Sequence, residues 1–375
     1  MFKYSWQFIK YDKAKSIGVL IGIVISTFLI GQQSGVYLFL TGLMSTIVDQ
    51  AHADIWVVDS KTTNANALGA IDIRNLYEVQ SIPGVQAAYP MVIAVGNAVF
   101  DNGATAGVQL IGSEAPSFRA GPDPAKIVSG KLQDLIQDGA ISCDVFDEKT
   151  LGNIHLGSAF EINGKRAFVA VETKGIRGFG FTYLYTTIQQ ARYFGNFPDD
   201  KISAVLVDVK PGADVQRICA TINQNLYGVR AWPSSSLSRA TVAFILGTSG
   251  IGISTFTLII FAIVSGFFII GLTLYSATLD RIRDYGTLKA IGARNSDIIR
   301  LILSQGILFG ISGFLIGMAL LTGFKQGLAK QGVLFRFSSS LILLFLCVTL
   351  LIAIGGTYFA IRRIVKLEPG SVFKS

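Results

Sequence analysis

A chain of 375 residues that is 51% hydrophobic and only 15% charged lies far from the composition of a water-soluble domain, so the membrane class is the first inference. Its net charge of +8 does not point to nucleic acid, because Lys and Arg cluster beside apolar runs, where they anchor and orient spans. Zinc-peptidase and Ser-His-Asp chemistry lack support. The two histidines, His52 and His155, stand far apart, there is no H-E-x-x-H, and none of the three cysteines has metal-ligand spacing.

The first 15 residues carry Lys3, Lys10, Lys13 and Lys15 with Trp6 as an interfacial anchor, and read as a cytoplasmic N-terminus. From Ser16 to Val48 no residue is charged. That is about 33 residues, or roughly 50 Å of helix, where the hydrocarbon core needs about 20. Residues 16–48 therefore read as a first span continuing into a stalk, with Gln32 and Gln33 near the outer interface. A secretory signal has an apolar region of only ~7–15 residues, so Ala51-His52-Ala53 is not expected to be a cleavage site.

Residues 49–239 are polar enough for a packed extracytoplasmic domain. Ala87 to Phe100 and Gly107 to Gly112 read as strands about a turn at Asp101-Asn102-Gly103. Asp144 to Leu151 reads as helical, and Phe160 to Val171 as a hairpin broken at Asn163-Gly164. Ile202 to Val209 alternates like a strand, Pro211-Gly212 turns the chain, and Asp214 to Leu226 reads as an amphipathic helix. The class is α+β. Ala53 to Val58 reads as an edge strand with Trp56 packed beneath it, or as a ligand contact. Gly175 to Phe181 is a flexible aromatic loop, either a connection or a docking site. Cys143 and Cys219 leave open one disulfide or two buried thiols.

Residues 240–279 again lack charge, too many for one span, and read as a second stalk and span in one overlong helix. Residues 280–300 follow with Arg281, Arg283, Lys289, Arg294 and Arg300, which places them on the cytoplasmic side. Ile282, Tyr285, Leu288 and Ile291 give this stretch one apolar face, as for a helix lying along the membrane surface. Gly292 offers a stop, Asn295 or Ser296 a fresh N-cap, and Asp297 a first-turn carboxylate. Residues 301–324 form a third span bearing Gly306, Gly310, Gly313 and Gly317, spaced for close helix contact. A short outer loop, 325–336, leads to the fourth span, 337–361, and a cytoplasmic C-terminus, 362–375. The expectation is four membrane helices, with a large α+β domain inserted between the first and second.

At Arg281-Ile-Arg-Asp-Tyr-Gly-Thr-Leu-Lys-Ala-Ile-Gly-Ala-Arg the chain resembles the cytoplasmic signature of FtsX-like, MacB-type ABC transporter permeases, with Asp284 where that family more often has Glu. The resemblance implies a coupling helix that docks on an ATP-hydrolysing subunit, with Arg281, Arg283, Asp284, Gly286, Leu288, Lys289, Gly292 and Arg294 at the contact. Ala53 to Val58 resembles the DevC branch, the order of the middle domain resembles the MacB-type periplasmic domain, and Arg362 to Pro369 resembles the family's C-terminal ending. It implies a homodimer in the bacterial inner membrane, surrounded by lipid, with a separate ATPase and a periplasmic membrane-fusion adaptor. Its work would be mechanical coupling for export of a lipid, peptide or other small molecule; signalling to cell-wall hydrolases and lipoprotein release are the other expectations. No catalytic residue, cofactor or metal is expected in this chain. Ser129-Gly130-Lys131 lacks the following hydroxyl of a phosphate-binding loop, so ATP and Mg would bind in the partner.

Overall fold

The structure, a computed structural model, describes residues 13–280 and 282–365. Lys3, Trp6, Lys10, Arg281 and Pro369, named above, lie outside the described residues. The chain divides into two compact units, residues 1–39 with 252–375, and residues 40–251.

The second unit holds twelve strands in chain order: β1 (Ile55–Asp59), β2 (Ile71–Asp72), β3 (Val85–Val99), β4 (Thr105–Ser113), β5 (Ile127–Ser129), β6 (Ala140–Asp144), β7 (Ala159–Ile162), β8 (Lys165–Thr173), β9 (Thr182–Thr187), β10 (Lys201–Ile202), β11 (Ala204–Val209) and β12 (Val229–Pro233). Ten form one sheet whose main path runs β12-β1-β11-β3-β7-β8-β5, with β4, β6 and β9 paired off it; β10 and β2 pair separately. Local chemistry fixes the hairpins. Asn163 (φ 51°) and Gly164 (φ 72°) are both left-handed, as a two-residue turn between right-twisted strands requires, and β7 pairs antiparallel with β8 across them. Asn163 adds its side chain, accepting from the Asn97 N–H at 2.9 Å and donating to the Phe194 carbonyl at 2.9 Å.

Side chains alternate across the sheet and fill two cores. On one face Ile55, Val57, Val92, Leu110 and Val205 meet α2 (Arg74–Gln80), α3 (Ile188–Gly195) and α4 (Val215–Asn225) through Val79, Ala191, Phe194, Ile218 and Ile222. Asp214 caps α4 by accepting from the Gln216 N–H at 2.9 Å. The other face carries Trp56, Met91, Tyr183 and Tyr185, covered by Ile47 and Val48 near the end of α1 (Lys13–Gln50) and by Leu237 of α5 (Ser234–Thr248). Polar contacts tie these helix ends into the unit: Ser238 donates to Asp49 at 3.0 Å, and the Ala65 N–H donates to the Thr241 hydroxyl at 2.9 Å.

Four expectations change. Of Asp144 to Leu151, Asp144 ends β6 and Val145 to Leu151 is a run of turns, because the Asp144 carboxylate accepts the Phe146 N–H at 3.1 Å and the Ile176 N–H at 2.7 Å, diverting the backbone from a helix. β1 is an interior strand with partners on both sides, so Trp56 is fully buried and has no path to a ligand. The charge-free run 240–279 is not one helix: α5 ends at Thr248, Gly250 takes φ +69°, and α6 (Ile251–Leu279) starts afresh. The next helix, α7 (Ile282–Ala290), is followed by α8 (Asn295–Ala329), whose N-cap is Arg294 rather than Asn295 or Ser296.

Cys143 and Cys219 are buried free thiols. Burial pushes Cys219 up to about 11, so at pH 8 on the order of one thiol in a thousand is the reactive thiolate. Both cysteines are therefore expected to resist maleimide in the native chain at pH 8 and to label fully after denaturation without reductant, which mass spectrometry reads directly.

Among the described residues four helices are long and apolar enough to cross a membrane, at Ser16–Gln50, Ile251–Thr273, Asn295–Ala329 and Ser339–Tyr358, and most of their length lies in the first unit; the last belongs to α9 (Ser339–Val365). Glycines set their approach. A Cβ at Gly266 of α6 would lie 2.6 Å from the Ser26 hydroxyl of α1, and one at Gly356 of α9 would lie 3.0 Å from the backbone of Gly271. Along α8 a single stripe meets two partners: Gly306 and Gly310 face Thr357 and Leu350 of α9, whereas Gly313 and Gly317 face Ile23 and Thr27 of α1. Val19, Ile23, Ala262, Ile270, Phe309, Phe314 and Ile352 complete this core.

Candidate functional site

The site is α7 and the turn that follows it. Residues Ile282 to Ala290 form a short helix closed by Gly292 at φ +100°. The Ala293 N–H returns to the Leu288 carbonyl at 2.9 Å and the Gly292 N–H to the Lys289 carbonyl at 3.1 Å, the paired bonds of a Schellman stop. The chain then enters α8, where the Asp297 carboxylate accepts the Arg294 N–H at 3.1 Å. Gly292 is therefore structural. A residue with a Cβ there would pay the left-handed penalty of roughly 1–2 kcal/mol.

Tyr285, 1% exposed, is the anchor: it packs with Ile298, Leu301 and Ile302 of α8, and Leu288 and Ile361 border the same cluster. Gly286 is buried beside it. The expected apolar face is thus only partly realised, since Tyr285 is buried and Leu288 half-buried, but Ile291 is 76% exposed. The physical reason is that Ile291 lies beyond the last helical residue, where the stop turns the chain outward.

The opposite side of α7 presents Arg283, Asp284, Thr287 and Ala290, all exposed, with Ile291 at its end. These positions follow the three-to-four residue spacing of one helix face. Of the residues expected from sequence, Arg283, Asp284 and Arg294 are exposed, Lys289 is half-buried, Gly286 and Leu288 support the fold of the helix, and Arg281 lies outside the described residues. Sequence reasoning did not show that Ile291 is exposed. Its position after the helix and before Gly292 was the available signal.

Among the described residues this arrangement offers a charged surface with an apolar tip and no metal-ligand set. In Ser129-Gly130-Lys131, Gly130 (φ +78°) backs so tightly onto β8 that a Cβ would lie 2.3 Å from the Ala170 carbonyl oxygen. The Gly175 to Phe181 loop is pinned at its start, where Arg177 donates to Asp147 at 2.7 Å. Elsewhere in the second unit a cleft of about 720 Å³ is lined by Asp138, Arg166, Phe168, Gln190 and Tyr193, a mixed polar and aromatic surface of ligand-binding size.

Residues 256–369 match the family described as FtsX-like permease C-terminal. The chain is 28% identical over 193 residues to an uncharacterized ABC transporter permease of Methanocaldococcus jannaschii, covering 48% of this chain and 47% of that protein. It is 24% identical over 390 residues to the macrolide export ATP-binding/permease protein MacB 2 of Aeromonas hydrophila, covering 94% of this chain and 56% of that protein. The chain thus spans about half the length of these two relatives. Among solved structures, the periplasmic region of MacB from Actinobacillus actinomycetemcomitans aligns at 11% identity and a TM-score of 0.38, covering 51% of this chain and 92% of that one.

Proposed function

We propose that this chain is an ABC transporter permease of the FtsX/MacB type, on its likeness to that family over residues 256–369, and that it couples ATP hydrolysis in a separate subunit to movement of its α+β unit. In this reading α7 is the coupling helix and its exposed face, Arg283, Asp284, Thr287, Ala290 and Ile291, seats in the ATPase. The single observation that carries it is the fixing of α7 by Tyr285 onto α8 and α9. A push on the exposed face then reaches membrane helices rather than a loose loop.

The lever is supplied by α1, unbroken from Lys13 to Gln50, whose last turns are bonded into the α+β unit through Asp49 and Met44. A conventional pore is not required. The four span cores are closed by apolar side chains and carry no ionisable residue of the kind that lines a polar path. The basic flanks orient both termini to the cytoplasm and the α+β unit to the far side. The active form would be a homodimer with two ATPase subunits, acting in export of a lipid, peptide or other small molecule, with an adaptor beyond the membrane. The cleft beside Arg166 and Tyr193 is where a polar, ring-bearing substrate would be held.

The test is purification of the tagged full chain from its native membrane in mild detergent. A co-purifying protein with a Walker A motif, lost when Ile291 and Lys289 are changed to Glu, is the expected result. Recovery of envelope enzymes without any ATPase would overturn the reading.

A further inference from the structure

Beyond the coupling site, one group of side chains on the α+β unit converges without a role in that account. The Glu148 carboxylate, the His155 imidazole and the Glu172 carboxylate bring one donor atom each to within 4.8 Å of one another. They come from three separate segments: the turn after β6, the loop before β7, and β8. Sequence spacing gave no sign of them, since the donors meet only when β6 and β8 pair in parallel and the loop folds back.

That loop is held in register by its backbone. The Asn153 N–H donates to the Glu148 carbonyl at 2.8 Å, the Leu156 N–H to Glu172 Oε1 at 2.8 Å, and the Gly157 N–H to the Val169 carbonyl at 2.8 Å. His155 Nδ1 is thereby aimed at Glu148 Oε1, 2.5 Å away. Glu172 keeps its second oxygen for another partner.

The charge balance is the second observation. Among the described residues no Lys or Arg forms an ion pair with Glu148 or Glu172; Arg177, the nearby guanidinium, is committed to Asp147 at 2.7 Å. Asp144 and Asp147 stand in the same neighbourhood, and with Glu148 and Glu172 they join burial in pushing the Cys143 thiol up. Two glutamates at this separation repel unless a cation lies between them.

We propose that Glu148, His155 and Glu172 are a three-ligand site for a divalent transition-metal ion, with zinc as the natural occupant. An imidazole nitrogen with two carboxylate oxygens suits zinc, which accepts mixed N/O donors at about 2.0–2.2 Å and completes four-coordination with water or a partner's donor. Magnesium and calcium take oxygen donors and do not use the imidazole. The ion would clamp the 148–158 loop to β8, making that loop's position dependent on metal. This inference does not depend on the permease reading.

The experiment is calorimetric titration of the full chain, untagged and metal-stripped in detergent, with zinc chloride at pH 7.5, alongside His155→Ala and Glu172→Gln. Both side chains are at least partly exposed, so the variants keep the fold, checked by circular dichroism. One zinc per chain is expected, weakened roughly 100-fold or more in each variant, with X-ray absorption showing only N/O donors near ~2.0–2.2 Å. Wild type that binds zinc no better than His155→Ala overturns the site. So does a sulfur bound to the zinc, which would mean that a cysteine, Cys143, Cys219 or Cys347, is the ligand.

Discussion

Changing Ile291 to Glu is expected to lower permease-stimulated ATP hydrolysis about tenfold or more while the chain inserts and folds as before. Ile291 is 76% exposed, so the substitution removes little from the fold. In the complex the same side chain would enter a desolvated groove at the tip of α7, and an ionised carboxylate there loses its hydration without a partner. Truncating or charging one central anchor commonly costs about 2 kcal/mol or more of binding, which is a factor of about thirty. Lys289→Glu should act in the same direction, by reversing charge beside that tip. Gly286→Pro acts differently: it removes a helical N–H inside α7 and costs about 3 kcal/mol of local structure, so coupling falls together with the Tyr285 anchor. Reconstitution with the ATPase and a turnover assay separates these outcomes. Full stimulation by both Ile291→Glu and Lys289→Glu would remove α7 from the coupling path.

Gly313→Leu is expected to abolish assembly of the helical unit. A Cβ alone at this position would lie 2.4 Å from Ile23 Cγ2 and 2.7 Å from its Cβ, and the rest of a leucine has nowhere to go but into α1. Overpacking a closed core costs typically 1–3 kcal/mol, and here two helices must part along their contact. Gly317→Leu meets Thr27 in the same way. The control lies further along α8: Gly323 has nothing within 4 Å of a Cβ, so Gly323→Leu should be silent. Monodispersity in detergent and thermal aggregation of the three variants decide the matter. Equal behaviour of Gly313→Leu and Gly323→Leu would show that α8 does not pack on α1 as described.

Local chemistry made part of this architecture legible. Asn163-Gly164 demands a left-handed pair and so marks its hairpin, Asp214 announces α4, and uncharged runs of more than about 20 residues identify the spans. What stayed hidden depends on partners distant in sequence. Nothing in the composition of 240–279 distinguishes one helix from two, because the joint at Gly250 changes backbone conformation and not polarity. Asp144 to Leu151 has helix-forming residues, but its carboxylate is claimed by Ile176, more than thirty residues away. On α7 the periodicity of Ile282, Tyr285, Leu288 and Ile291 was visible, whereas which of them is covered depends on Ile298, Leu301 and Ile361. The candidate coupling residues come from a resemblance to a family; their division into supporting and exposed side chains comes from the packing.

The sheet of the second unit begins with β1 and ends with β12, and these two strands lie side by side, Ile55 opposite Pro233 and Asp59 opposite Val229. The polypeptide therefore enters and leaves this sheet about 5 Å apart, the spacing of neighbouring strands. A sheet entered and left on neighbouring strands brings the end of α1 and the start of α5 side by side, which is what lets Ser238 reach Asp49, so the two flanking segments leave this unit as a pair.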